Sequence, residues 1–289
     1  MSVLERILAS TRAELSQRMS EVPLAQMQER AHTAASGRLG REQRFRSALS
    51  APGIAVIAEF KRRSPSAGTL RAAPDLREVV GAYERGGAAA VSVLTEGPNF
   101  DGSLSDLLEA RVACDLPLLR KDFVVDSYQL YEALVAGADA VLLIVAALEQ
   151  AALVELYREA RALDLDVLVE VHDRPELQRA LQLGAELIGV NNRDLRDFSV
   201  DVQRTFALLE DVPEGVAVVS ESGIGDAAQL RELEARGVQA VLVGERLMRS
   251  QDPEAALVEL RGVREPRGDV VLDTHGQGFR SPSSRPIML

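Results

Sequence analysis

The sequence predicts a (β/α)8 barrel carrying an N-terminal helical extension. From residue 54 onward, eight short β-branched runs alternate with helix-length amphipathic segments. The runs are continuously apolar, as expected of parallel strands buried on both faces. A faint repeat punctuates them: Gly87-Ala-Ala-Ala-Val, Gly137-Ala-Asp-Ala-Val, Gly184-Ala-Glu-Leu-Ile and Gly237-Val-Gln-Ala-Val, at spacings of 50, 47 and 53 residues. Each copy sets a helix-ending glycine just before a strand, and each spacing holds two βα units. Eight units in a row favour a closed barrel over an open doubly wound sheet, although alternation alone does not prove closure.

Taken in order, residues 1–50 place Leu4, Ile7, Leu8 and Leu15 at roughly helical spacing and read as a helical extension packed on the barrel. Residues 51–262 form the barrel. Its strands are expected at Ile54–Phe60, Ala89–Thr95, Leu116–Lys121, Ala140–Val145, Val167–Val171, Leu187–Asn191, Val216–Ser220 and Ala240–Val243. Helices are expected near 75–86, 104–113, 127–136, 148–163, 174–183, 199–209, 226–236 and 253–261. Asp226 and Asp252 stand where N-caps belong, and Pro253 where a first-turn proline is tolerated. Residues 263–289, rich in Gly, Pro, Ser and Arg and without periodicity, read as a flexible tail.

Composition narrows the function. At 289 residues and 46% hydrophobic, the chain can bury one large core. No apolar run approaches the roughly 20 residues of a membrane span. Glu5, Arg6, Arg12, Glu14 and Arg18 spoil any secretory signal, so no membrane association is expected. Cys114 is the one cysteine, which suits a reducing cytoplasm. A net charge of -11 and only 4% aromatic residues argue against nucleic-acid binding. No His/Cys/Asp/Glu cluster has ligand spacing, so neither a metal nor another cofactor is expected. For assembly the expectation is a monomer acting on a small phosphorylated molecule.

One count is sharper. The chain carries 31 arginines and two lysines, Lys61 and Lys121. Base composition of the genome could leave two lysines by accident. A functional reading is that these positions need an ammonium, a compact charge that can shift its pKa and release a proton where a guanidinium effectively cannot.

Active sites of (β/α)8 barrels lie at the C-terminal strand ends. Those ends read Glu59-Phe60-Lys61, Thr95-Glu96, Arg120-Lys121-Asp122-Phe123, Glu170-Val171-His172, Asn191-Asn192-Arg193-Asp194, Ser220-Glu221-Ser222-Gly223 and Gly244-Glu245; the fourth strand offers nothing polar until Glu149. Both lysines fall on this face, which weakens the accidental reading. Glu170, at a buried mouth, should have a raised pKa and trade protons near neutrality unless it is paired; the plainer reading is a structural salt bridge to Lys61 or Lys121. Arg120, next to Lys121, should face the helical layer and tolerate lysine. Gly223 and Gly244, after strands seven and eight, suit a phosphate site, with backbone N–H groups of the Gly244-Glu245 turn cradling the anion. Arg62–Gly68 reads as a mobile loop over the site or simply as a solvated basic loop. For His172, packing behind the site is favoured over catalysis, and Cys114 is expected in the core.

The stretches Ile57-Ala-Glu-Phe-Lys-Arg-Arg-Ser-Pro-Ser-Ala-Gly68, Ser92-Val-Leu-Thr-Glu96, Leu119-Arg-Lys-Asp-Phe123, Gly189-Val-Asn-Asn-Arg-Asp-Leu195 and Ser220-Glu-Ser-Gly-Ile224 resemble the indole-3-glycerol phosphate synthase family, over about residues 4–262. The resemblance implies the ring-closing step of tryptophan biosynthesis: 1-(o-carboxyphenylamino)-1-deoxyribulose 5-phosphate to indole-3-glycerol phosphate, CO2 and water. It further implies Lys121 as general acid, Glu170 as acid–base glutamate, and Glu59 with Lys61 as a second acid–base and substrate-binding pair. Asn191 and Arg193 would orient the substrate, which Ser64, Phe123, Glu221 and Ser222 would also touch. Gly223, Gly244 and Glu245 match the phosphate-loop positions. Glu245 departs from relatives with a small hydroxyl residue there, so its side chain must point away from the anion.

Two other readings stay open. A Schiff-base lyase or aldolase would use one of these lysines to form an imine. A non-catalytic phosphosugar-binding or scaffold protein would have no need of both lysines and Glu170. A related isomerase of the same pathway is disfavoured, since that family works through a cysteine where this chain has Glu59-Phe60-Lys61.

Overall fold

The computed structural model describes residues 2–36, 43–194 and 197–262. The expected flexible tail, 263–289, lies outside the described residues. Eight parallel strands close into a barrel: β1 (Ala55–Phe60), β2 (Ala90–Leu94), β3 (Leu118–Lys121), β4 (Ala140–Ile144), β5 (Asp166–Val171), β6 (Leu187–Asn191), β7 (Ala217–Glu221) and β8 (Ala240–Val243). Each pairs with its sequence neighbour, and β1 closes the ring on β8.

Two shifts from the expected strands have physical causes. The third begins at Leu118 rather than Leu116, because Pro117 has no N–H for the ladder; its carbonyl still accepts from Val91 N. The seventh runs one residue further, to Glu221, which pairs in register with Asn191 on β6 and Leu242 on β8. That extension carries the Glu221 carboxylate into the barrel. The four repeat glycines, Gly87, Gly137, Gly184 and Gly237, all adopt φ between 78° and 92°, the left-handed turn out of a helix that L-residues avoid.

The helices are α1 (Val3–Glu21), α2 (Leu24–Ser36), α3 (Arg44–Leu49), α4 (Leu76–Arg85), α5 (Leu104–Ala113), α6 (Tyr128–Val135), α7 (Gln150–Ala162), α8 (Arg174–Leu183), α9 (Gln203–Leu209), α10 (Ala227–Ala235), α11 (Glu245–Arg249) and α12 (Pro253–Leu260). Many start on a short acceptor: Asp75, Ser103, Asp173, Asp226 and Asp252 each take backbone N–H groups of the first turn. Cys114 caps the end of α5 and is buried. Helix α9 begins four residues later than expected. The preceding segment instead folds back on the loop after β6, with an Arg193–Val200 bridge and an Asp201 N–Asn192 O bond of 2.9 Å. No helix among the described residues is long and apolar enough to cross a membrane.

Alternation along each strand sorts the side chains. Val56, Ala58 and Phe60 pack outward with the helices, whereas Ala55, Ile57 and Glu59 point into the barrel. The inner core combines Ile57, Leu119, Leu142, Leu168, Val219 and Leu242 with small residues, Ala55, Ala90, Ala140 and Ala240, at the strand starts. Helix α3 plugs that end with Phe45 and Leu49, and Arg46 N donates to Asp166 at 2.9 Å. Helix α1 runs over the opposite end, with Ile7 and Leu8 in the same inner core. It is held there by an Arg18–Glu132 ion pair of 2.6 Å and by Tyr128 Oη donating to Val22 O at 2.8 Å.

Candidate active site

On five of the eight strands the inward position nearest the C-terminal end is polar. Glu59, Lys121, Glu170, Asn191 and Glu221 stand at or one residue before the ends of β1, β3, β5, β6 and β7, and all line one cavity with Lys61, Ser64, Phe123, Arg193 and Ser222. Ten of the thirteen residues singled out from the sequence thus meet in one place. Gly223, Gly244 and Glu245 do not line it: Gly223 lies just after β7, and Gly244 and Glu245 start α11 just after β8.

Lys121 is the centre of the cluster. Its Nζ lies 2.9 Å from Glu170 Oε2 and 3.1 Å from Glu221 Oε2. Asn191 Nδ2 donates to the other Glu170 oxygen at 3.1 Å, and Ser222 Oγ donates to Asn191 Oδ1 at 3.0 Å, which fixes the amide's orientation. Across the cavity Lys61 Nζ pairs with Glu59 Oε1 at 2.6 Å. The sequence left Glu170 a choice between Lys61 and Lys121; Lys121 is its partner.

Electrostatics separates the carboxylates. Burial opposes the Lys121 charge, but Glu170, Glu221 and Glu59 outweigh it and hold the ammonium above its ordinary value. Burial likewise opposes ionisation of Glu170, yet Lys121, then His172, then hydrogen bonds from Lys121 and Asn191 keep it below the usual carboxylate range. Paired in this way, Glu170 is not the raised carboxylate. That place falls to Glu221: burial first, with Glu170 and Glu59 adding to it against Lys121, pushes it up to about 7. Its Oε1 is buried without a hydrogen-bond partner.

Two glycines make room for these acids. A Cβ on Gly189 would sit 2.1 Å from Glu221 Oε1, and one on Gly244 would sit 2.5 Å from Glu59 Oε1.

Arg120 corrects its expectation by half. It faces the helical layer, but it is 1% exposed and fully engaged. Its guanidinium donates to Asp122 at 2.8 Å, Thr95 Oγ1 at 3.1 Å, Gln129 O at 2.6 Å and Glu132 at 3.2 Å. Lysine cannot reproduce that fork, so tolerance is not expected. The Arg62–Gly68 loop is anchored at its base, while Pro65, Ser66 and Gly68 at its tip are exposed. It forms a hairpin, Arg63–Ser64 against Gly68–Thr69, while Arg62 makes two 2.7 Å bonds to Asp106. Glu245 turns its half-exposed carboxylate to Arg249 at 3.2 Å and lies 3.8 Å from Arg193.

Part of the cavity escaped the sequence reading. Val3, Leu4 and Ile7 of α1 form one wall, and Leu94, Ile144 and Phe198 add apolar surface. Phe100 stands 6.2 Å from Phe123, ring centre to ring centre, at a 38° tilt. The helical spacing of Leu4 and Ile7 marked a packed face but could not say that the face borders a cavity. Among the described residues no group of three or more His, Cys, Asp or Glu is arranged to hold a metal ion.

Residues 4–260 match the family model described as indole-3-glycerol phosphate synthase. Indole-3-glycerol phosphate synthase of Kineococcus radiotolerans is 47% identical over 261 residues, covering 90% of this chain and 95% of that one. Indole-3-glycerol phosphate synthase 2 of Streptomyces coelicolor is 54% identical over 218 residues, 75% of this chain and 84% of its own. Among solved structures, thiamine phosphate pyrophosphorylase from Pyrococcus furiosus superposes with a TM-score of 0.55 at 21% identity, over 72% of this chain and 94% of that one, a likeness of fold alone.

Proposed function

The chain belongs to the indole-3-glycerol phosphate synthase family, and from that premise we propose how its cavity performs the family's reaction. The reaction closes an indole ring: 1-(o-carboxyphenylamino)-1-deoxyribulose 5-phosphate loses CO2 and water and becomes indole-3-glycerol phosphate, a step of tryptophan biosynthesis. The observation that carries the residue assignment is the pairing of each of the chain's two lysines with a buried carboxylate in one cavity.

Ring closure needs the sugar ketone made electrophilic. The aromatic carbon bearing the carboxylate bonds to the ketone carbon, and the carbonyl oxygen takes a proton from Lys121 Nζ. The bond to CO2 then breaks and its electron pair restores the aromatic ring. Finally the new hydroxyl leaves as water while a proton is lost from the adjacent former C1. Glu170, held ionised, is the proton acceptor, and Lys61 with Glu59 is the second acid–base pair. The Glu221 carboxyl, near neutrality in its affinity for a proton and 3.1 Å from Lys121, can return a proton to the spent amine.

Arg193 and Asn191 orient the substrate, Ser64, Ser222 and Glu221 contact its polar groups, and Phe123 faces its aromatic ring. The phosphate is assigned to the loops of Gly223 and of Gly244-Glu245, next to the cavity; Arg246 ties the two by donating to Gly225 O. The test is direct: purified protein with this substrate should generate indole-3-glycerol phosphate fluorescence with one CO2 released per product. No fluorescence at any pH would remove the assignment. In crystals grown with sulfate or phosphate, an anion between Gly223 and Gly244 is expected; an anion at the α3 end of the barrel would overturn the phosphate placement.

A further inference from the structure

His172 follows β5 directly, two residues beyond Glu170, and the roles assigned above do not use it. Its surroundings are built rather than incidental. Asp173 caps α8 and accepts from Glu176 N at 2.9 Å, and Pro175 stiffens the first turn. The Glu176 carboxylate is thereby aimed back at His172. One of its oxygens, Oε2, accepts the His172 main-chain N–H at 2.8 Å and lies 3.0 Å from ring Nδ1. The other ring nitrogen, Nε2, is buried, makes no hydrogen bond, and faces Glu170 Oε1 at 3.4 Å, an ion-pair distance.

A neutral imidazole carries one N–H and one lone pair. With the proton on Nδ1, the Nε2 lone pair would face the Glu170 carboxylate. With the proton on Nε2, the Nδ1 lone pair would face Glu176. Only the doubly protonated ring suits both neighbours. We propose that His172 is a positioning residue of the acid–base centre: as an imidazolium clamped between Glu176 and Glu170, it fixes the Glu170 carboxylate and keeps it in its proton-accepting form. This rests on the proposed role of Glu170.

The charges around the ring support this. Glu170 on its own strand, Glu176 on α8 and Glu221 on β7 are acidic, and Lys121 on β3 is the cation beyond Glu170. From β4 the residue paired with Glu170 is Ile144, and β6 contributes the neutral Asn191. Burial opposes the ring's charge, but the Glu176 hydrogen bond and the Glu170 and Glu176 charges outweigh it and raise its proton affinity. A consequence for catalysis is that when Lys121 gives up its proton, His172 is the positive charge that remains beside Glu170.

The chain has three histidines, so the ring can be observed alone. In a His32→Gln/His275→Gln background, ring nitrogen NMR shifts of His172 should titrate with a midpoint above the ordinary value of about 6.5, and Glu176→Gln should lower that midpoint. In His172→Gln the acid limb of the kcat/KM profile should move up by about one pH unit or more, since an opposite charge at this range shifts a carboxylate by that amount. A purely structural residue would lower activity or Tm without moving the limb. A ring that is neutral at pH 6.5, or an unmoved acid limb in folded His172→Gln, overturns the proposal. The NMR result is independent of turnover. Should Glu170→Gln stay fully active, the reading of Glu170 as base falls while the charge state of the ring is still decided.

Discussion

Gly189 and Glu221, on neighbouring strands β6 and β7, share one volume: the hydrogen of the glycine points where the Glu221 Oε1 lies, and a methyl there would stand 2.1 Å from that oxygen. The outward face of β6 is unaffected, so Gly189→Ala should fold. Its Glu221 must swing off Lys121. We expect kcat to fall by about 10-fold or more while Tm changes by only a few degrees, read by steady-state kinetics and calorimetry. Unchanged kcat would mean that Glu221 is not needed where it stands.

Lys121→Arg keeps the charge but loses the compact, transferable proton. Glu170→Gln keeps the shape but loses the base. Each should lower turnover by at least about 10²-fold, with smaller effects on KM. Near wild-type turnover in Lys121→Arg would remove lysine as the proton donor, and with it the meaning given to the lysine count.

Glu221 also predicts a pH dependence of stability. Its folded-state value is raised from 4.5 to about 7, so the folded protein holds that proton longer than the unfolded chain. Stability from the neutral carboxyl is complete below about pH 4.5 and is lost as the pH climbs to about 7. Glu221→Gln mimics the neutral acid. Its Tm should rise relative to wild type across that window and hold a constant lead above it. Parallel Tm curves would show that Glu221 ionises at its ordinary pH.

Arg120→Lys should destabilise, although both residues are cations. The replaced guanidinium serves Asp122, Thr95, Gln129 and Glu132 at once, and a lysine would leave buried acceptors unmet. A loss on the order of 3 kcal/mol in urea unfolding is expected. A loss below about 0.5 kcal/mol would mean that water or rotated side chains replace the fork.

The barrel was legible because its signals are local and periodic. Apolar runs, caps such as Asp226 and Asp252, and the four repeat glycines each act within a few residues. The cluster was legible for a related reason: barrel geometry converts a strand end into a position on one rim, so Lys61, Lys121 and Glu170 could be brought together on paper. Relations across that rim were not legible. Whether Glu170 pairs with Lys61 or Lys121, and whether Glu170 or Glu221 carries the raised proton affinity, depends on side chains from strands far apart in the chain, Lys121 lying 49 residues before Glu170. Arg120 shows the limit most plainly. Its outward direction follows from alternation, but Thr95 just past β2 and Gln129 and Glu132 on α6, which join Asp122 around it, leave no mark in the local pattern.

The two-lysine composition turns the cavity into a chemical address. Reagents that acylate amines pass over guanidinium groups, so apart from the chain's N-terminus their targets are Lys61 and Lys121, whose side chains are 18% and 13% exposed. A protease that cleaves after lysine can divide the chain into three pieces at most, ending at residues 61, 121 and 289. Both cuts require backbone at the barrel mouth to open. The rate at which those fragments form would clock the opening of that rim, with no label added and no other part of the molecule contributing to the signal.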